Sequence, residues 1–111
     1  MNYITHNQAD LFDDVNCTSL VAQIVASYKD LVAAFGEPTA GCGKSDVEWL
    51  VKFDDGTVAT VYNWKNGPAY CGEAGTPVKQ IKQWNVGGHA AAAYQKVFDV
   101  VRKTAREVAH A

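Results

Sequence analysis

From Val47 to Phe53 the chain alternates, with Val47, Trp49, Val51 and Phe53 on one face and Glu48, Leu50 and Lys52 on the other. That is the period of a half-buried strand. Asp55 and Gly56 then form a two-residue hairpin turn, since glycine tolerates positive φ, and Thr57 to Trp64 is the return strand. In that register Phe53 faces Val58, Val51 faces Thr60, Trp49 faces Tyr62 and Val47 faces Trp64, which gathers the aromatic groups on one side. A bulged turn shifts every pairing by one.

Residues 18–35 carry two patterns. Leu20, Ile24, Tyr28, Leu31 and Phe35 recur at helical spacing, while Leu20 to Val25 also suits a strand. Ser27 followed three residues later by Asp30 resembles a capping box, and Gly36 with Pro38 stops a helix. The prediction is a strand ending near Ala26, then a helix from Tyr28 to Phe35. Near the C-terminus Tyr94, Val97, Phe98, Val101, Ala105 and Val108 form the apolar stripe of a final helix reaching about Ala109. Between hairpin and helix, Gly67, Pro68, Gly72, Gly75 and Pro77 make Lys65 to Gln80 a long surface loop. A short strand, Val78 to Trp84, follows, and Asn85 to Gly88 leads into the helix. Residues 1–16 are polar, with Asp10, Asp13 and Asp14, and read as a mobile N-terminal arm before a single domain over 17–111. The fold class is α+β: a small antiparallel sheet packed against two helices.

Composition narrows the functions. With 48% hydrophobic and 20% charged among 111 residues, the chain suits one globular domain with its own core, without metal or disulfide staples. Ten basic against twelve acidic residues leave a net charge of −2, which gives no field for duplex nucleic acid. No apolar run approaches the roughly 20 residues of a membrane span, and the first residues lack the pattern of a signal peptide, so a cytoplasmic protein is expected. Cys17, Cys42 and Cys71 are odd in number and far apart, which favours reduced thiols, with a Cys42–Cys71 bridge as the alternative.

The motifs of catalysis are weak. Gly43, Lys44 and Ser45 imitate the end of a P-loop, but its first glycine would fall at Pro38 and a strand follows where a helix is required. Of the histidines, His6 and His110 sit near the ends; His89 paired with Cys42 or Cys71 is the one arrangement that could serve a nucleophile. No spacing of His, Cys, Asp or Glu suggests a metal site, and Asp54 and Asp55 belong to the hairpin turn. No catalytic residue, cofactor or metal is expected.

A binding constellation is more informative. Asn63, Trp64 and Lys65 end one strand, and Trp84, Asn85, Gly87, Gly88 and His89 precede the last helix. A glycine pair opening a helix would present bare amides and a partial positive charge to an anion. Lys65 adds an ammonium, Trp84 or Tyr70 a stacking plane, and Asn63 or Asn85 a hydrogen-bonding edge, together a site for a nucleotide-like or phosphorylated small molecule. The competing reading is packing: the glycines as a tight turn, Trp64 and Trp84 as core aromatics, Lys65 as a solvated charge. A third places function on the surface, with Trp64, Tyr70 and Trp84 as anchors for a protein partner and an unguarded strand edge that permits strand addition or homo-oligomers.

The segments Phe35 to Thr39, Glu48–Trp49, Asp55 to Lys65 and Trp84 to Gly88 resemble short proteins encoded by bacteriophages and prophages, over roughly Leu20 to Val101. The order of helix, turn and hairpin is also similar in topology to the units of β-lactamase inhibitory proteins. The phage resemblance implies a source rather than a chemistry. Small non-catalytic phage proteins counter host defence by sequestering its nucleotide signals or, as anti-CRISPR inhibitors do, by occluding a host defence protein complex. A non-enzymatic binder acting in the host cytoplasm is the expectation.

Overall fold

The apolar stripes close on one another across a single antiparallel sheet. In the computed structural model, which describes residues 2–109, the elements run β1 (Tyr3–Thr5), β2 (Ser19–Val25), α1 (Tyr28–Phe35), β3 (Thr39–Ala40), β4 (Val47–Phe53), β5 (Val58–Tyr62), α2 (Pro68–Cys71), β6 (Gln83–Gly88) and α3 (Ala92–Ala109). Short 3₁₀ turns cover Gly72–Ala74 and Val78–Gln80. The strand order is β1-β4-β5-β6-β2, with the short β3 also paired to β4. Helices α1 and α3 cover one face, and the class is α+β.

The break in residues 18–35 falls where the capping signals put it. The Ser27 side chain accepts from Asp30 N at 3.0 Å, and Gly36, at φ 80°, donates to the Val32 carbonyl. Behind that helix Trp49, Val51, Phe53, Ala59, Val61, Trp84 and Val86 pack against Leu31, Phe35, Val97 and Val101. Each buried indole satisfies its one donor, Trp49 Nε1 on the Gly36 carbonyl at 2.7 Å and Trp84 Nε1 on the Ala26 carbonyl at 3.0 Å.

The hairpin departs from the expected register. Its loop has three residues, Asp54 to Gly56, closed by Phe53 N to the Thr57 carbonyl at 2.8 Å, with Gly56 at φ 91°. Pairing therefore slips by one: Trp49 lies opposite Val61 and Val51 opposite Ala59, in place of Tyr62 and Thr60. A one-residue slip exchanges faces. Ala59 and Val61 enter the core, while Thr60 and Tyr62 turn to the outer face beside Glu48 and Leu50. The Asp55 carboxylate holds Lys96 of α3 at 2.8 Å and is pulled down to a pKa of about 2, by that bond first and by hydrogen bonds from Thr57 second.

Three further expectations are corrected. Residues 2–16 are not an arm outside the domain: β1 pairs with β4, the Tyr3 hydroxyl donates to the Ala34 carbonyl at 2.6 Å, and Leu11 is 3% exposed. The open edge of β4 and the aromatic pocket of Phe35 and Phe53 draw Tyr3 in. No strand spans Val78 to Trp84; its first residues form a 3₁₀ turn and β6 begins at Gln83. Asn85 to Gly88 is not the entry to the last helix but the body of β6, held between β5 and β2. Met1, His110 and Ala111 lie outside the described residues.

Candidate functional site

One buried side chain ties two loops together at the end of the hairpin. Asn63, fully buried, accepts from Asp46 N at 2.9 Å and Val47 N at 3.2 Å, and donates to the Asp46 carboxylate at 2.7 Å and to Asn66 at 3.2 Å. The other Asp46 oxygen accepts from Ala69 N at 2.9 Å, at the start of α2. Loop 41–46 and loop 63–71 are thus fixed to one another, since losing the Asn63 partners would leave its buried amide unpaired.

What the two loops carry is a basic and aromatic rim. Trp64 is 47% exposed and Tyr70 53%. The Lys44 ammonium stands 5.8 Å from the Trp64 ring and 5.7 Å from Tyr70, and Lys65 stands 5.9 Å and 5.5 Å from the same two rings. These are cation–π distances. Lys65 also holds φ 59°, a left-handed conformation in which a residue with a Cβ is strained, and its amide donates to the Lys44 carbonyl at 3.1 Å. Local strain of this kind gathers at functional positions.

Beside the rim lies a groove of ≈ 580 Å³ on the outer face of the sheet. Glu48, Leu50, Thr60, Tyr62 and Gly87 make its floor, Cys42 to Ser45 with Trp64 one wall, and Phe12 with Val15 to Ser19 the other. The volume is that of a small-molecule site. Tyr62 and Trp64 meet edge to face at 6.4 Å. Glu48 is half-buried, and desolvation pushes its carboxyl above the usual range, with His6 opposing. A ligand here would find cations and π-faces at the mouth and one carboxylate, an acceptor for N–H groups, deeper in.

No protein-family model matches the chain, and no curated protein matches it. The site rests on its own geometry.

Of the residues predicted to bind, the structure brings Lys65 and Tyr70 together on the rim with Trp64, and Asn63 beneath them as a positioning residue. Gly87 lines the groove, but as a strand residue whose backbone is engaged on both sides. Trp84 is not a stacking plane, because it is buried edge to face against Trp49 at 5.4 Å. Asn85, also buried, accepts from Gln23 Nε2 at 3.1 Å. Gly88 is where sheet and helix approach: a Cβ there would lie 2.5 Å from the Ala93 Cβ. His89 is exposed, with Nε2 3.3 Å from the Asp14 carbonyl oxygen. The expected glycine-opened helix end is therefore absent, because the glycines serve strand pairing. Cys17, Cys42 and Cys71 are free and exposed, so the alternative bridge is not formed. Among the described residues no group of three or more His, Cys, Asp and Glu is placed to hold a metal, and no helix is long and apolar enough to cross a membrane.

Lys44, Glu48 and Tyr62 were not legible as site residues. Lys44 stood only in the P-loop look-alike, and Tyr62 reached the groove through the register slip. Strain at Lys65 gives a direct check. Lys65→Gly should raise stability by about 0.5–1 kcal/mol, by relieving the left-handed Cβ, while removing one rim ammonium. A fall in the thermal midpoint would contradict the backbone conformation.

Proposed function

We propose that this chain is a non-enzymatic binding protein that sequesters a nucleotide-type, phosphorylated ligand, and, from its resemblance to short phage proteins, that the ligand is a signal of bacterial host defence captured in the host cytoplasm. The observation that carries the reading is the pair of ammonium groups, Lys44 and Lys65, set over two exposed aromatic rings at the mouth of a groove. Phosphate oxygens suit the ammoniums, a base suits the faces of Trp64 and Tyr62, and Glu48 can accept from the N–H edge of a base. The pairing of His89 with a thiol that could have served a nucleophile is not what the structure places there: His89 Nε2 lies 3.3 Å from the Asp14 carbonyl oxygen.

Isothermal titration against cyclic dinucleotides, cyclic oligonucleotides and linear nucleotides, each beside its dephosphorylated nucleoside, tests this. Heat is expected with a phosphorylated member and not with its nucleoside, and Lys44→Ala or Lys65→Ala should each weaken binding about tenfold, or 1.4 kcal/mol. No heat across the panel sinks the ligand reading. The second reading, occlusion of a host defence protein complex, is favoured by one observation: the rim is open, with Phe12 73% exposed opposite Trp64. It requires a stable complex with a purified defence assembly that Trp64→Ala and Phe12→Ala weaken.

A further inference from the structure

The two edges of the sheet are built differently. On one side β4 is covered by β1 and β3, strands of three and two residues, and very short strands blunt an edge. On the other, β2 runs seven residues, Ser-Leu-Val-Ala-Gln-Ile-Val, without a charge or a proline, and among the described residues pairs with β6 alone. Its outward backbone groups are a template for another strand. Leu20 is 57% exposed and Val25 82%. Five residues apart, they would point to opposite faces of a regular strand. The register shift between Leu20 and Ala22 puts them on the same face, opposite Gly87 and Gln83.

We infer that β2 is a self-association surface, through which two copies of this chain pair antiparallel into one continuous sheet. A two-fold axis brings the Leu20 end of one strand beside the Val25 end of its mate, so both exposed apolar groups are covered on one face. The absence of charge favours a second copy as the occupant, because an isologous contact sets a surface against itself and this strand, apolar at Leu20 and Val25 and without a charge along its length, is complementary to itself. On the helix side the same edge borders a groove lined by Val25, Phe98, Asp30, Arg102 and Arg106, which offers a mate both signs of charge. With the axis perpendicular to the sheet, the two ligand grooves open on the same side of the dimer. The pairing does not depend on the ligand reading.

Light scattering after size exclusion, across a dilution series, should give the mass of two chains. Val25→Lys and, separately, Leu20→Lys should each give the mass of one chain with an unchanged circular dichroism spectrum, since each would press an ammonium against the mate's apolar Leu20 or Val25 and cost its desolvation. Ile4→Lys, on the opposite edge at 40% exposure, should leave the dimer intact. Hydrogen exchange should show β2 amides that exchange about tenfold more slowly in the wild type than in Val25→Lys. A monomer throughout the series, a species larger than a dimer, a dimer indifferent to both β2 lysines, or equal exchange in the two proteins would overturn the proposal.

Discussion

Replacing Trp49 with alanine should lower the free energy of unfolding by about 3–5 kcal/mol, the range for removing a fully buried large aromatic. The ring lies at the centre of the core, completely covered, with the Trp84 indole 5.4 Å away edge to face and Tyr28 at 5.9 Å. Three losses add: the apolar area, the aromatic contacts, and the hydrogen bond that satisfies the Gly36 carbonyl at the end of α1. Against a total of about 5–15 kcal/mol for a domain, the variant stands close to unfolding at room temperature. Urea denaturation should show the midpoint falling by a large fraction at constant slope. A loss below about 1 kcal/mol would mean that the strand face assigned to the core is wrong.

Gly88→Val should cost about 3 kcal/mol, at the upper end of overpacking effects. A Cβ at this position meets the Ala93 Cβ at 2.5 Å and the Val58 carbonyl at 3.2 Å, so either α3 lifts from the sheet or β6 is displaced. The effect is on folding. Any loss of ligand affinity follows from it, in contrast to Lys65→Ala, which should leave the melt nearly unchanged. A double-mutant cycle isolates the cause: Ala93→Gly removes the opposing methyl and, although glycine in a helix costs about 1 kcal/mol, should recover part of the loss in a Gly88→Ala background. Additive effects would show that the close approach is not what excludes a side chain there.

Three elements were legible in full. Strict alternation named β4, Ser27 with Asp30 and Gly36 named both ends of α1, and the stripe from Tyr94 to Val108 named α3, because each signal is local: a side-chain period, a cap, a stop. The site was legible only in pieces. Lys65 and Tyr70 were singled out for their chemistry, and Asn63 for its hydrogen-bonding edge, yet its role is to join two loops. Trp84 looked like Trp64 on paper; one is sealed against Trp49 and the other stands half-exposed on the rim.

Two decisions belonged to the tertiary structure. The first was the turn: Asp54-Asp55-Gly56 can close as a two-residue or a bulged three-residue loop, and the second is the one that packs Ala59 and Val61 under the helices. That choice sent Thr60 and Tyr62 outward and made the floor of the groove. The second was Gly87–Gly88, whose freedom of backbone conformation suits a helix-leading turn and a crowded central strand equally, and which pairs with β5 and β2 because only a residue without a Cβ fits between Thr60, Ser19 and Ala93. The sequence by itself determined β2, β4, α1 and α3 and the apolar faces of β4 and α3, since these follow from neighbours a few residues apart. Which face each aromatic ring occupies, and where cations and rings converge, was set by contacts between distant segments, which no local period encodes.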